Sequence, residues 1–285
     1  MQTRPDILVL GGGGRAGDAW MTGVLSGLED ASGFELSGCD YFIGTSAGAV
    51  VAARLVAGLR LTRPALEASD VATPQRAPKP NAFANWALAL SGPAASLGLR
   101  ATASPGALAR RTLLRAARAQ SETLGPMLHA ELSWDGRLRV VAVERRNGRR
   151  VVFGSPGAPD ATVDQAVQAS CSVPLMFSPT VIDGVEYVDG GVWSLTNADV
   201  APAARGAQVL VLAPTASLHG PLNAALRVAS RAAMLVEASL LTARHASVST
   251  LTPDREAAAA IGRELMSSAR LPVILAAGYA QGLAL

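Results

Sequence analysis

Residues 41–56 constrain this chain more than any other stretch. The short apolar run Tyr41-Phe42-Ile43 is followed by Gly44-Thr45-Ser46-Ala47-Gly48, and then by Ala49-Val50-Val51-Ala52-Ala53-Arg54-Leu55-Val56, which reads as a helix. A strand that turns into a helix within five small residues places Ser46 on a sharp, strained turn. Only small neighbours avoid clashes there. The hydroxyl is held above the sheet edge with a helix N-terminus beneath it, which suits attack on a carbonyl. A small-residue turn that merely packs a helix on a strand has the same pattern, so the remaining motifs decide.

Upstream, Asp6-Ile7-Leu8-Val9-Leu10 reads as a buried strand, and Gly11-Gly12-Gly13-Gly14-Arg15-Ala16-Gly17 as the loop after it. Trp20, Val24, Leu25 and Leu28 then recur at helical spacing up to Gly33. Strand, glycine loop, helix, strand, turn, helix predicts an α/β fold with a largely parallel sheet. The glycine loop lets backbone N–H groups converge on a phosphate or an oxyanion. Gly12-x-Gly14-x-x-Gly17 also fits a dinucleotide-binding loop, but that use requires an acidic residue at the end of the second strand. Here that strand ends in Gly44-Thr45-Ser46, and Asp40 precedes it.

Beyond residue 62 the pattern weakens through a proline-punctuated stretch, residues 73–80, and an apolar one, 81–99, carrying Phe83, Trp86 and Leu90. Ser104-Pro105 opens a helix on which Arg111, Arg115 and Arg118 share a face; a solvated face is expected, with anionic lipid as the alternative partner. Residues 137–144 and 149–153 read as strands joined at Asn147-Gly148, and 180–182 and 185–188 as a second hairpin through Asp183-Gly184. A helix over 162–170, a strand over 208–212 and helices over 222–246, 253–268 and from 271 onward complete the expectation.

A nucleophilic serine needs a base. The chain has three histidines, His129, His219 and His245, none in a motif. Asp189 is the better candidate, because it ends a strand and Gly190-Gly191 behind it lets the backbone turn and aim the carboxylate into the cleft. The glycine loop after strand one, G-x-S-x-G after strand two and the late Asp-Gly-Gly together resemble the patatin-like phospholipase family. Ala169-Ser170-Cys171-Ser172-Val173-Pro174 and Tyr187-Val188-Asp189-Gly190-Gly191, followed by Asn197-Ala198, extend the resemblance over residues 6–212.

The resemblance implies a three-layer fold, a core over 6–212 and a helical extension over 213–285 packed on the same domain. It implies a Ser-Asp dyad of Ser46 and Asp189, an oxyanion hole from the amides of Gly12, Gly13 and Gly14, and hydrolysis of fatty-acyl esters. Gly17, Gly44, Gly48, Gly190 and Gly191 complete the motifs. The family usually has Arg or Lys just before the last loop glycine; Ala16 stands there and Arg15 one position earlier, so no role carries over to Arg15. Residues 83–99 are a candidate lid or acyl-site wall, or else an internal helix pair. Acyl transfer from a thioester and non-catalytic binding of a nucleotide or lipid are the competing functions.

The 285 residues carry a net charge of +3, nearly all from arginine since Lys79 is the one lysine, which gives no signal of nucleic-acid binding. Two cysteines, Cys39 and Cys171, make no disulfide framework and fit a reduced, cytosolic setting, with peripheral membrane contact open. No signal peptide or spanning segment is expected, because the first apolar run is short and 80–99 is interrupted by Ser91-Gly92-Pro93. No cofactor or metal is expected, since no ligand cluster has metal spacing.

Overall fold

The computed structural model describes residues 3–64, 114, 124–125, 127–128, 132–218 and 223–285. The candidate lid, the arginine face and both His129 and His219 lie outside the described residues.

The apolar runs become strands β1 (Ile7–Leu10), β2 (Tyr41–Thr45), β3 (Leu138–Glu144), β4 (Arg150–Phe153), β5 (Thr180–Ile182), β6 (Val185–Asp189), β7 (Gln208–Leu212) and β8 (Ser247–Leu251). Helices are α1 (Gly14–Ser32), α2 (Ala47–Val56), α3 (Val163–Cys171), α4 (Ala224–Ala243), α5 (Arg255–Ile261) and α6 (Leu271–Leu283). The strands form one sheet in the order β5-β6-β3-β2-β1-β7-β8, with β4 also on β3. The pairs from β3 through β2, β1 and β7 to β8 are parallel, and those of β4, β5 and β6 antiparallel.

Local chemistry explains the boundaries. Gly33 adopts φ 72° and closes α1 with its N–H on the Glu29 carbonyl. Thr162 and Gln165 cap α3 reciprocally. Asp183 and Gly184, at φ 47° and 76°, form the tight turn between β5 and β6.

Alternating strand residues feed two cores. Leu8, Leu10 and Phe42 pack with Trp20, Met21 and Val24 of α1 and with α2 and α3. Ile7, Val9 and Ile43 face the other way, onto Met234 and Leu241 of α4. Helices therefore cover both faces of the sheet, in three layers. Each fully buried aliphatic side chain contributes about 1.5–3 kcal/mol.

Residues 213–285 depart from the expected all-helical extension. Residues 247–251 form β8, which extends the sheet beyond β7 in parallel. A serine- and threonine-containing run between two helices, largely exposed at the sheet edge, has little hydrophobic periodicity to announce it. The expected helix over 253–268 is shorter, ending at Ile261 before Gly262 at φ 68°. The final helix, α6, crosses α1 at glycines: a side chain at Gly23 would strike the Leu275 carbonyl, and one at Gly278 the Trp20 carbonyl. Trp20 Nε1 donates to Gln281 Oε1 across this crossing at 2.9 Å.

Candidate active site

Strand register brings the two key positions together. Val140 and Val141 pair with both β2 and β4, and Ala142 and Val143 with both β4 and β6. A strand has two edges, so β4 holds one edge of β3 while β2 and β6 share the other. They approach from opposite directions: β2 ends with Thr45 opposite Val141, and β6 ends with Asp189 opposite Ala142. The strand ends abut, and Ser46 leaves one where Asp189 completes the other.

Ser46 occupies φ 53°, ψ −124°, a conformation costly for any residue with a Cβ. The turn closes because Gly44 lies on the Ala49 backbone and Gly48 on the Leu10 carbonyl, with no room for a side chain at either. The Ser46 N–H donates to Ser170 Oγ at 2.8 Å, and the Ser170 hydroxyl donates to the Val141 carbonyl at 2.6 Å. Ser170 thus fills the gap left where β2 stops pairing with β3.

Asp189 is held by its backbone N–H on the Ser172 carbonyl, 3.0 Å. Its Oδ1 accepts from the Gly191 N–H at 2.6 Å, in the 3-10 turn Gly190–Val192. Its Oδ2 is buried with no hydrogen-bond partner among the described residues. The residue is 1% exposed, against 9% for Ser46. Burial pushes the Asp189 carboxyl up to about 7, opposed by the nearby Ser46 hydroxyl and the Gly191 amide. The Cys171 thiol is a further neighbour: burial, then the Asp189 charge, push it well above the usual thiol range, while the Ser46 hydroxyl pulls it down.

The glycine loop runs beside this pair, since a Cβ at Gly12 would stand 3.4 Å from Ser46 Cβ. Its amides divide. Gly12, expected as an oxyanion donor, gives its N–H to the Leu195 carbonyl at 2.7 Å, because the loop is pinned to the segment following Asp189. For Gly13 and Gly14 no acceptor is found among the described residues. Gly14 opens the 19-residue helix α1, whose N-terminal dipole adds positive potential. Gly17 donates to the Gly13 carbonyl and, with Gly13, packs on Pro214.

The sequence profile of the patatin-like phospholipase family matches residues 8–202. The chain belongs to this family of lipid acyl hydrolases. Among curated proteins, none matches the chain at a significant level. The patatin-like match takes in the glycine loop, Ser46, Asp189 and Asn197, and ends before β7.

Histidine does not enter the patatin-like site from the described residues. His245 precedes β8, whose first residue pairs with Gln208 at the start of β7, whereas Ser46 follows the opposite ends of the parallel strands. The strand length between them is about 16 Å. Among the described residues no three His, Cys, Asp or Glu side chains gather to hold a metal, and no helix is long and apolar enough to cross a membrane.

Three supporting residues were not assigned roles from sequence. Ser170 and Asn197 lie inside recognisable motifs, but their partners Val141 and Thr45 are remote in the chain. Glu237 left a clearer signal: it falls on the buried stripe of α4 with Ser230, Met234 and Leu241, where an acid is out of place.

Proposed function

We propose that the protein is a serine acyl hydrolase that cleaves fatty-acyl esters of lipids through an acyl-Ser46 intermediate. The observation that carries this reading is the strained Ser46 turn set directly against a buried Asp189 whose Oδ2 has no other partner among the described residues.

Asp189 Oδ2 accepts the Ser46 proton as Oγ bonds to the ester carbonyl carbon. The carbonyl oxygen becomes an oxyanion facing the Gly13 and Gly14 amides; each such donor lowers the barrier by about 3 kcal/mol. Collapse of the tetrahedral species breaks the bond to the alcohol, which leaves with the proton from Asp189. Water then gives a proton to Asp189 and attacks the acyl carbon, and Ser46 Oγ departs and regains that proton. An ordinary aspartate is a weak base toward an alcohol. Burial, which raises the affinity of Asp189 for a proton, improves it as a base without a histidine.

The test is peptide mapping after treatment with a lipid-like fluorophosphonate. A single adduct on Ser46, absent in Ser46→Ala, with hydrolysis of a fatty-acyl ester by the wild type, is expected. An unlabelled Ser46 in folded protein, in the presence of a membrane mimetic, would overturn the reading.

A further inference from the structure

Asn197 spans the two abutting strand ends. Its Nδ2 donates to the Ser194 carbonyl at 2.5 Å, to Thr45 Oγ1 at 3.1 Å, one residue before Ser46, and more weakly to the Gly190 carbonyl at 3.4 Å, one residue after Asp189. To do so it adopts φ 51°, ψ 33°, a left-handed conformation that Asn tolerates better than most residues but does not prefer. Arg150 Nη1 donates to Asn197 Oδ1 at 3.2 Å and Ser194 Oγ accepts the Asn197 N–H at 3.3 Å, and α4 adds a further hold on its two neighbours. Glu237 Oε2 accepts from Thr196 Oγ1 at 2.6 Å and from the Ala198 N–H at 2.7 Å, the residues on either side of Asn197. One oxygen of one side chain thereby grips both flanks of the left-handed residue.

Glu237 is 2% exposed, and its Oε1 has no hydrogen-bond partner among the described residues. A half-satisfied buried acid is destabilising, and an aliphatic side chain would serve packing alone better. Its place on the buried face of α4 fits a role in geometry. Burial and the nearby Asp199 raise its proton affinity, against Ser194, Thr196 and the Ala198 amide. Either protonation state leaves Oε2 able to accept both bonds.

We propose that Glu237, which lies beyond the patatin-like match, is a positioning residue that sets the spacing of Ser46 and Asp189 through Asn197. The inference rests on Ser46 being the nucleophile.

The experiment measures the second-order rate of fluorophosphonate labelling at Ser46, with kcat and KM for a soluble ester, in the full chain. Glu237→Ala is expected to lower the labelling rate and kcat about tenfold with KM within twofold. Glu237→Gln, whose amide oxygen can accept the same two bonds, is expected to recover at least a third of the wild-type rate. Asn197→Ala combined with Glu237→Ala should be no slower than Asn197→Ala alone, because both act on one element. Should Glu237→Ala not fold, Thr196→Val, which removes one of the two bonds, is expected to slow labelling with the same non-additivity. Folded Glu237→Ala labelled at the wild-type rate, or losses that multiply in the double variant, would overturn this inference alone. A wild type that takes no label overturns it together with the function above.

Discussion

Asp189→Asn separates what the carboxylate does for chemistry from what it costs the fold. Burial moves the Asp189 carboxyl from its usual 3.8 to about 7. At about 1.4 kcal/mol per tenfold change in proton affinity, that is on the order of 4 kcal/mol. The sign follows from linkage: the folded state holds this proton more tightly, so the group's favourable contribution is complete below pH 3.8 and is lost as pH rises to about 7. Asparagine cannot ionise, and its Oδ1 can still accept from Gly191. Urea unfolding from pH 3.5 to 8.5 should therefore find the variant and wild type equally stable at the acid end. The variant's advantage should grow from pH 4 and level off above 7 at up to about 4 kcal/mol. Glu237, also raised to about 7 by burial, is present in both proteins and cancels in the difference. The same variant should turn over no substrate, while wild-type activity rises through about pH 7 as Asp189 ionises. An Asp189→Asn protein less stable than wild type at pH 8 would refute the desolvation argument, and one retaining more than a few per cent of activity would refute the base assignment.

Ser170→Ala leaves the Ser46 amide and the Val141 carbonyl buried and unpartnered; a loss of about 1–3 kcal/mol in denaturant unfolding and slower Ser46 labelling are expected. Gly14→Ala forces a Cβ to within 2.6 Å of Met266 Sδ at φ 59°, so kcat on a soluble ester should fall while far-ultraviolet circular dichroism is retained. Gly278→Val drives a branched side chain into the Trp20 carbonyl and should separate α6 from α1, costing more than about 2 kcal/mol in thermal or chemical unfolding.

Fold and site were legible to different depths. β1, β2, β3 and β7 announce themselves as apolar runs because both faces of the central sheet are covered, and β6 by the Asp183-Gly184 turn before it. β8 does not, because this edge strand, Ser-Val-Ser-Thr-Leu, is mostly exposed and only Val248 and Leu251 are partly buried, too few to impose a pattern. Ser46 and Asp189 were readable because each motif is local: small residues around a strained turn, and glycines behind a strand end. Their juxtaposition came only as an implication of the family resemblance; the residues themselves do not give it, since it depends on β6 entering antiparallel beside β3 where β2 stops. The oxyanion donors illustrate the same boundary. Glycines in sequence say that amides can converge, but only the pairing of Gly12 with Leu195 says which amide is already engaged.

The arrangement on β3 works as a ruler. The separation of Ser46 from Asp189 is graduated in residues of one strand, Val141 and Ala142, and does not depend on the length of any connection. The connections between these strands can therefore change length without altering that graduation. A single inserted residue in β3, by contrast, would put the two ends out of step.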